Sequence, residues 1–196
     1  MRQSIQLIAC RPENDFVDPE ALARQAVRVS PGEYAISRSK PLYTLLGSCV
    51  SACITDPEKQ IGGINHFLLP DGSGQLTEAA RYGVFAMEQL INELLLQGAK
   101  RERMVAKVSG GARMFQGGLD IGQRNIAFVR TFLRTERIQI AAAHVGGSKA
   151  RRVVYIPNLG IMFVRPVSSG QQALIQQEEK QLTSTAATYE GTVDLF

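Results

Sequence analysis

The sequence predicts a mixed α/β domain, with strand hairpins alongside crossover connections and helices covering sheet. Three observations carry that prediction. Short strand-like segments recur between turn signals from Glu33 to Leu69, and again from Ile138 to Val167. Two stretches between and within these blocks show the three- and four-residue apolar spacing of amphipathic helices. The resulting order, β-β-β-β-α-β-α-β-β-β, departs from the regular βαβ alternation of a doubly wound sheet. A length of 196 residues suits one such domain with a tail.

Each element has a local reason. Asp18-Pro19 opens a short helix over Glu20–Val27, with proline at the first helical position, and Ser30-Pro31-Gly32 ends it. Strands are expected at Tyr34–Ser37, Leu42–Leu46 and Val50–Thr55. The last alternates Val50, Ala52 and Ile54 against Ser51, Cys53 and Thr55, the pattern of a half-buried strand. Asp56-Pro57 marks a turn and Ile61–Leu69 a further strand. In the first long helix Val84, Met87, Ile91 and Leu94 share a face, and Gly98 is the C-cap. A strand at Met104–Val108 runs into Ser109-Gly110-Gly111-Ala112. The second helix, Gln123–Thr135, turns Ile126, Val129, Phe132 and Leu133 inward. Strands at Ile138–Val145, Arg152–Ile156 and Ile161–Val167 follow, the last two joined by a turn over Pro157-Asn158-Leu159-Gly160. Beyond Ser168 the chain is rich in Gln and Thr, with a short helix at Gln171–Gln181.

Composition narrows the function classes. Apolar residues are 44% of the chain and charged residues 20%, which fits a protein with a real core and excludes a disordered or collagen-like chain. No apolar run approaches the roughly 20 residues that cross a bilayer, and Met1–Cys10 lacks a signal-peptide core, so a cytoplasmic protein without membrane insertion is expected. The net charge of +4 gives an isoelectric point near 9.1. The basic residues are scattered, apart from a knot at Lys149, Arg151 and Arg152, and the aromatics are eight Phe, five Tyr and no Trp. Nucleic-acid binding calls for a denser basic stripe with interleaved aromatics, so it is not expected.

The reactive residues are few: Cys10, Cys49, Cys53, His66 and His144. On an extended strand Cys49 and Cys53 lie about 13 Å apart, too far to share one zinc ion or a disulfide. No phosphate-binding glycine signature occurs. No metal and no cofactor is expected. The Gly-Gly pairs at 62–63, 110–111, 117–118 and 146–147 read either as tight turns or as places where backbone N–H groups approach a substrate. Cys49 follows Gly47-Ser48 at a strand boundary, where small neighbours leave the thiol accessible and let backbone N–H groups face an oxyanion. Cys53, in mid-strand, reads as a core residue. A cysteine nucleophile needs an imidazole to take its proton, and a hairpin through Asp56-Pro57 brings His66 beside Cys49. Alkylation would then report a depressed Cys49 pKa that depends on His66 and not on His144.

Several motifs together resemble the CheD family of chemoreceptor glutamine deamidases. They are Gly47-Ser48-Cys49-Val50, His66-Phe67-Leu68-Leu69-Pro70, Arg81-Tyr82-Gly83 with Ala86-Met87, Gly110-Gly111-Ala112 with Met114-Phe115, Ile121-Gly122 with Arg124-Asn125, and Gly146-Gly147 with Arg151. They run in order from about Gly32 to Val167. The resemblance implies a mixed α/β sandwich similar to the catalytic domain of the cytotoxic necrotizing factor toxins. It also implies an extension over residues 1–30, a deamidase domain over 31–168 and a polar tail over 169–196. The implied activity is that of a protein-glutamine glutaminase, an amidohydrolase converting receptor glutamine to glutamate, and some members also hydrolyse receptor methyl esters. The implied site has Cys49 as nucleophile, His66 as general base and acid, and Ser48, Gly110 and Gly111 around the oxyanion and substrate. Thr44 is the expected orienter of His66, although ungapped alignment places Tyr43 there, so that either the strand carries a one-residue bulge or another group orients His66. The implied partners are cytoplasmic helices of methyl-accepting chemotaxis receptors and a CheC-type phosphatase. Two other readings of the residues remain open: a different Cys–His hydrolase or acyltransferase, and a non-catalytic adaptor that binds receptor or phosphatase.

Overall fold

The computed structural model describes residues 6–8, 19–69, 76–114 and 120–188. Two five-stranded sheets pack face to face, with two long helices over the outer face of one and a short helix against the outer face of the other. The strands are β1 (Gln6–Ile8), β2 (Val27–Arg28), β3 (Tyr34–Ser37), β4 (Leu42–Leu46), β5 (Val50–Asp56), β6 (Ile61–Asn65), β7 (Val105–Gly110), β8 (Gln139–Val145), β9 (Arg151–Ile156) and β10 (Ile161–Pro166). The helices are α1 (Pro19–Gln25), α2 (Leu76–Leu96), α3 (Ile121–Thr135) and α4 (Ser169–Thr188). One sheet has the order β1-β10-β9-β4-β2, the other β3-β6-β5-β7-β8. The expected mixed α/β architecture is the one observed.

Hairpins and crossovers together explain the mixture. β5 and β6 pair antiparallel across the Asp56 turn, where the Asp56 carboxylate accepts from the Glu58 and Lys59 N–H groups. β7 and β8 pair parallel, which requires a long connection, and α3 supplies it. Gly98, at φ +87°, ends α2 as expected, and its N–H and that of Ala99 return to the Leu95 and Leu94 carbonyls. Gly63 has no room for a side chain, since a Cβ there would lie 2.5 Å from the Ala35 carbonyl oxygen on the neighbouring β3.

β5 departs from its expected half-buried state: every residue from Val50 to Asp56 is buried. Val50, Ala52 and Ile54 pack into a core with Met87, Leu90 and Leu94 of α2 and Val129 and Leu133 of α3. The opposite face carries Cys49 and Cys53, which pack with Leu42, Leu46, Val153, Tyr155 and Met162 of the other sheet. The alternation is real, but its small and polar half meets a second sheet rather than water.

The flanking segments add to the sheets. β1 pairs with β10, and β2 lies parallel to β4. The segment beyond Ser168 forms α4, longer than the short helix expected there. Among the described residues no helix is long and apolar enough to cross a membrane.

Candidate active site

Strand register brings Cys49 and His66 together. Val50 and Phe67 exchange both backbone hydrogen bonds, each 3.0 Å long. One step along, Ser51 stands opposite His66, so Cys49 and His66 occupy a diagonal on one face. Such diagonal positions lie about 7–8 Å apart, within reach of a thiol and an imidazole leaning toward each other. His144 takes another place in that lattice. It pairs with Ser109 on β7, and Ser109 pairs with Ser51 on β5. At about 4.8 Å per strand, two strand spacings put it roughly 10 Å from β5. Its Nδ1 is 2.9 Å from Arg151 Nη1, and burial together with the Arg151 charge lowers its pKa.

The tautomer of His66 follows from hydrogen-bond counting. Thr44 Oγ1 donates its only proton to the Val29 carbonyl at 2.7 Å. The same oxygen lies 2.8 Å from His66 Nδ1, so there it accepts, and Nδ1 carries the ring proton. Nε2 is left with a bare lone pair, buried and without a hydrogen-bond partner among the described residues. Thr44 is therefore the hydrogen-bond partner of His66 Nδ1. No bulge is needed, because β4 pairs with β9 in unbroken register from Leu42 to Leu46. Inward-facing Leu42, Thr44 and Leu46 alternate with half-buried Tyr43, which faces away.

The turn before Cys49 has its donors aimed by its acceptors. The Gly47 carbonyl accepts from Ala112 N–H, the Ser48 carbonyl from the Asn125 side-chain amide, and the Cys49 carbonyl from Gly111 N–H. A trans peptide sets its N–H opposite the preceding C=O. Ser48 and Cys49 N–H thus point the other way, into a common spot beside the thiol. Gly110 and Gly111 differ from expectation here. The Gly111 N–H is spent on the Cys49 carbonyl, and a Cβ on Gly110 would come 2.1 Å from that same oxygen. These glycines brace the turn from behind and do not donate into the site, whereas Ser48 does face it.

The converging donors hold a carboxylate from α4. Glu179 accepts from Ser48 N–H at 3.1 Å, Ser48 Oγ at 2.7 Å and Cys49 N–H at 3.2 Å. Burial, and then the Glu179 charge, push the Cys49 thiol well above its usual range. Burial pulls the His66 imidazole down to about 4. The pair is therefore a neutral thiol and a neutral imidazole, where the sequence leads us to expect a thiolate with a depressed pKa.

A pH dependence of stability follows from the His66 shift. A free imidazole titrates at 6.5, so between 6.5 and about 4 the unfolded chain binds a proton that the folded chain refuses. The stabilising difference is complete above 6.5 and is lost as pH falls toward 4, amounting to about 3 kcal/mol. Chemical denaturation at pH 7 and pH 4 should show this loss in the wild type, and His66→Gln should shrink it by that amount.

The sequence analysis gives no site role to Asn125, which enters there only in the Arg124-Asn125 motif, or to Glu179. A role for Asn125 is within reach of the pattern: it is a buried polar residue on the inward stripe of α3, among Gly122, Ile126 and Val129. Its side chain ties the segment after β6 to the turn, accepting from Leu69 N–H and donating to the Ser48 carbonyl, both at 2.9 Å. Glu179 offered only its four-residue spacing from Ile175 in a polar segment. Cys53 lies in the core with its Sγ 3.7 Å from Met162 Sδ, and burial pushes its thiol up to about 12. Cys10 lies outside the described residues.

A buried cysteine, an imidazole with a free Nε2 and two aimed N–H groups are the parts that thiol-based acyl-transfer chemistry requires. Comparison with known proteins assigns the chain more narrowly. A family model described as CheD chemotactic sensory transduction matches residues 68–166. A Cupriavidus metallidurans protein named "Probable chemoreceptor glutamine deamidase CheD" is 43% identical over 91% of this chain and 92% of its own length. Proteins of the same name from Caulobacter vibrioides (43%, 91% of this chain and 96% of theirs) and Bordetella petrii (45%, 83% and 77%) match as well. The chain belongs to the CheD family. Among solved structures, a Bacillus licheniformis hypothetical protein, YfiH, aligns with a TM-score of 0.41 at 10% identity, covering 67% of this chain and 59% of that one.

Proposed function

We propose that the protein deamidates glutamine side chains on the cytoplasmic helices of methyl-accepting chemotaxis receptors, with Cys49 as nucleophile. The names of its relatives support the reaction, and one structural observation carries it: Thr44 fixes His66 with a bare Nε2 on the sheet face that Cys49 shares. His66 Nε2 takes the thiol proton as Sγ attacks the side-chain amide carbon. The oxyanion forms where Ser48 and Cys49 N–H converge. The imidazolium then protonates the departing ammonia, leaving a thioester. Nε2 next activates water, and hydrolysis returns the thiol and yields glutamate. The reaction is that of a protein-glutamine glutaminase. Receptor methyl esters would pass through the same thioester with methanol as leaving group.

The test is mass spectrometry of receptor cytoplasmic fragments, alongside ammonia release. Conversion of particular glutamines to glutamate in step with ammonia is expected. Receptor fragments that stay unchanged beside folded protein would end this reading. Thr44→Val removes the acceptor for the Nδ1 proton while keeping the side chain's shape. It should lower kcat on the order of 100-fold with little change in KM, because a slightly misplaced base costs about that much.

Substrate length should matter. Asparagine holds its amide one methylene closer to the backbone than glutamine, and the donors beside Cys49 are recessed in a buried turn. Receptor fragments with the target Gln changed to Asn should release ammonia about 100-fold more slowly. Equal rates would show that the cleft does not measure side-chain length.

A further inference from the structure

The donors that the proposed mechanism reserves for the oxyanion are already occupied, and by a residue of the same chain. Both Glu179 oxygens are engaged: Oε2 by Ser48 N–H and Oγ, Oε1 by Cys49 N–H. The carboxylate enters because residue 47 is glycine, since a Cβ there would lie 2.7 Å from Glu179 Oε1. A substrate carbonyl and the Glu179 carboxylate cannot use these N–H groups together.

We propose that α4 is a built-in product mimic, which blocks the site by placing the Glu179 side chain where a target glutamine goes, and which substrate must displace. The proposal rests on the deamidase reading above and adds its regulation. Chemistry explains why the plug is glutamate: it is the product of the proposed reaction, and a carboxylate is too poor an electrophile to be turned over. A glutamine in the same place would be consumed.

The way α4 is held suits displacement. Gln172, Ile175, Gln176 and Glu179 share one stripe of the helix. Ile175 is buried against Ala112, Met114 and Ala150, Gln176 donates to the Met114 carbonyl at 2.8 Å, and Gln172 approaches the Ser148 carbonyl at 3.4 Å. Between Ser169 and Gln181, Ile175 is the single apolar residue that is buried, and Leu174 is exposed. An amphipathic helix with a larger apolar face would compete well for the same ground. Burial, and after it the Glu179 charge, also keeps the nearby thiol protonated, so the carboxylate that fills the donors adds an electrostatic block to the steric one.

The test uses full-length protein and two readouts: the rate at which iodoacetamide alkylates Cys49, and deamidation of receptor fragments. Glu179→Ala should raise both, by about tenfold or more if the blocked form dominates. Glu179→Gln, which keeps the side chain's shape while its NH2 group can no longer accept from one of the two N–H groups, should undergo reaction in cis. The introduced side-chain amide and water give the native carboxylate and ammonia: Sγ adds to the amide carbon, the C–N bond breaks with His66 returning the thiol proton to nitrogen, and water then cleaves the C–S bond. Peptide mass spectrometry should find glutamate restored at position 179 in that protein, and the amide intact in the double variant Glu179→Gln/Cys49→Ala. Alkylation of Glu179→Ala no faster than wild type would overturn the block. An amide that persists at position 179 in protein deamidating receptor fragments normally would overturn the substrate-like pose. Faster alkylation of Glu179→Ala with no deamidation of any glutamine would keep the block and overturn the deamidase reading instead.

Discussion

Cys49→Ala should abolish deamidation, with a loss on the order of 10,000-fold or more, because the thiol forms the covalent bond that divides the reaction into two easier steps. The fold should survive the change. Cys49 is a small buried side chain, and its backbone hydrogen bonds with Gly111 and Glu179 do not involve sulfur. Cys53→Ala is the matched control. It removes the same atom from the same face of the sheet, four residues away, where the thiol meets Met162 and lies among core residues of both sheets. Ammonia release and thermal unfolding should be measured on all three proteins. Activity retained in folded Cys49→Ala, or lost equally in Cys53→Ala, would remove Cys49 as nucleophile.

That contrast between two cysteines is legible in the sequence, and the reason is local. Glycine and serine before Cys49 signal a turn, whereas the alternation around Cys53 signals mid-strand. The hairpin through Asp56-Pro57 is legible too, and with it the pairing that brings His66 to Cys49. Information that depends on distant chain segments is not. β5 reads as half-buried because its small and polar half faces a sheet built from β4, β9 and β10, which no local pattern reports. Gly110 and Gly111 differ from expectation for a similar reason. A Gly-Gly pair announces close backbone approach, but whether the N–H faces a cleft or another carbonyl depends on where Cys49 lies in space. The place of Thr44 beside His66 is within reach of inward alternation on β4, despite its displaced spacing. Glu179 is beyond reach, since its partner Cys49 lies 130 residues away along the chain.

His66 should be the base, and its removal the second largest effect. His66→Ala should lower kcat by about 1,000-fold, in the middle of the range for a positioned general acid–base, while KM changes little because the imidazole does not hold the ground-state substrate. The structure gives three reasons for this histidine over His144. Its Nδ1 proton is fixed by Thr44, so Nε2 is permanently the basic nitrogen. That nitrogen is buried without a partner among the described residues, a cost that a folded protein accepts where the lone pair has work to do. Its ring lies on the diagonal from Cys49, whereas His144 is spent on Arg151 two strands from β5. Burial also lowers His66 to about 4, so the base stays neutral across the physiological range. Wild-type activity should therefore show no acid limb near pH 6.5, the value of an ordinary imidazole. His144→Ala should keep activity within a few-fold of wild type and the same pH profile. A thousandfold loss in His144→Ala with an active His66→Ala would transfer the role to the other histidine, and the tautomer fixed by Thr44 would then have no catalytic meaning.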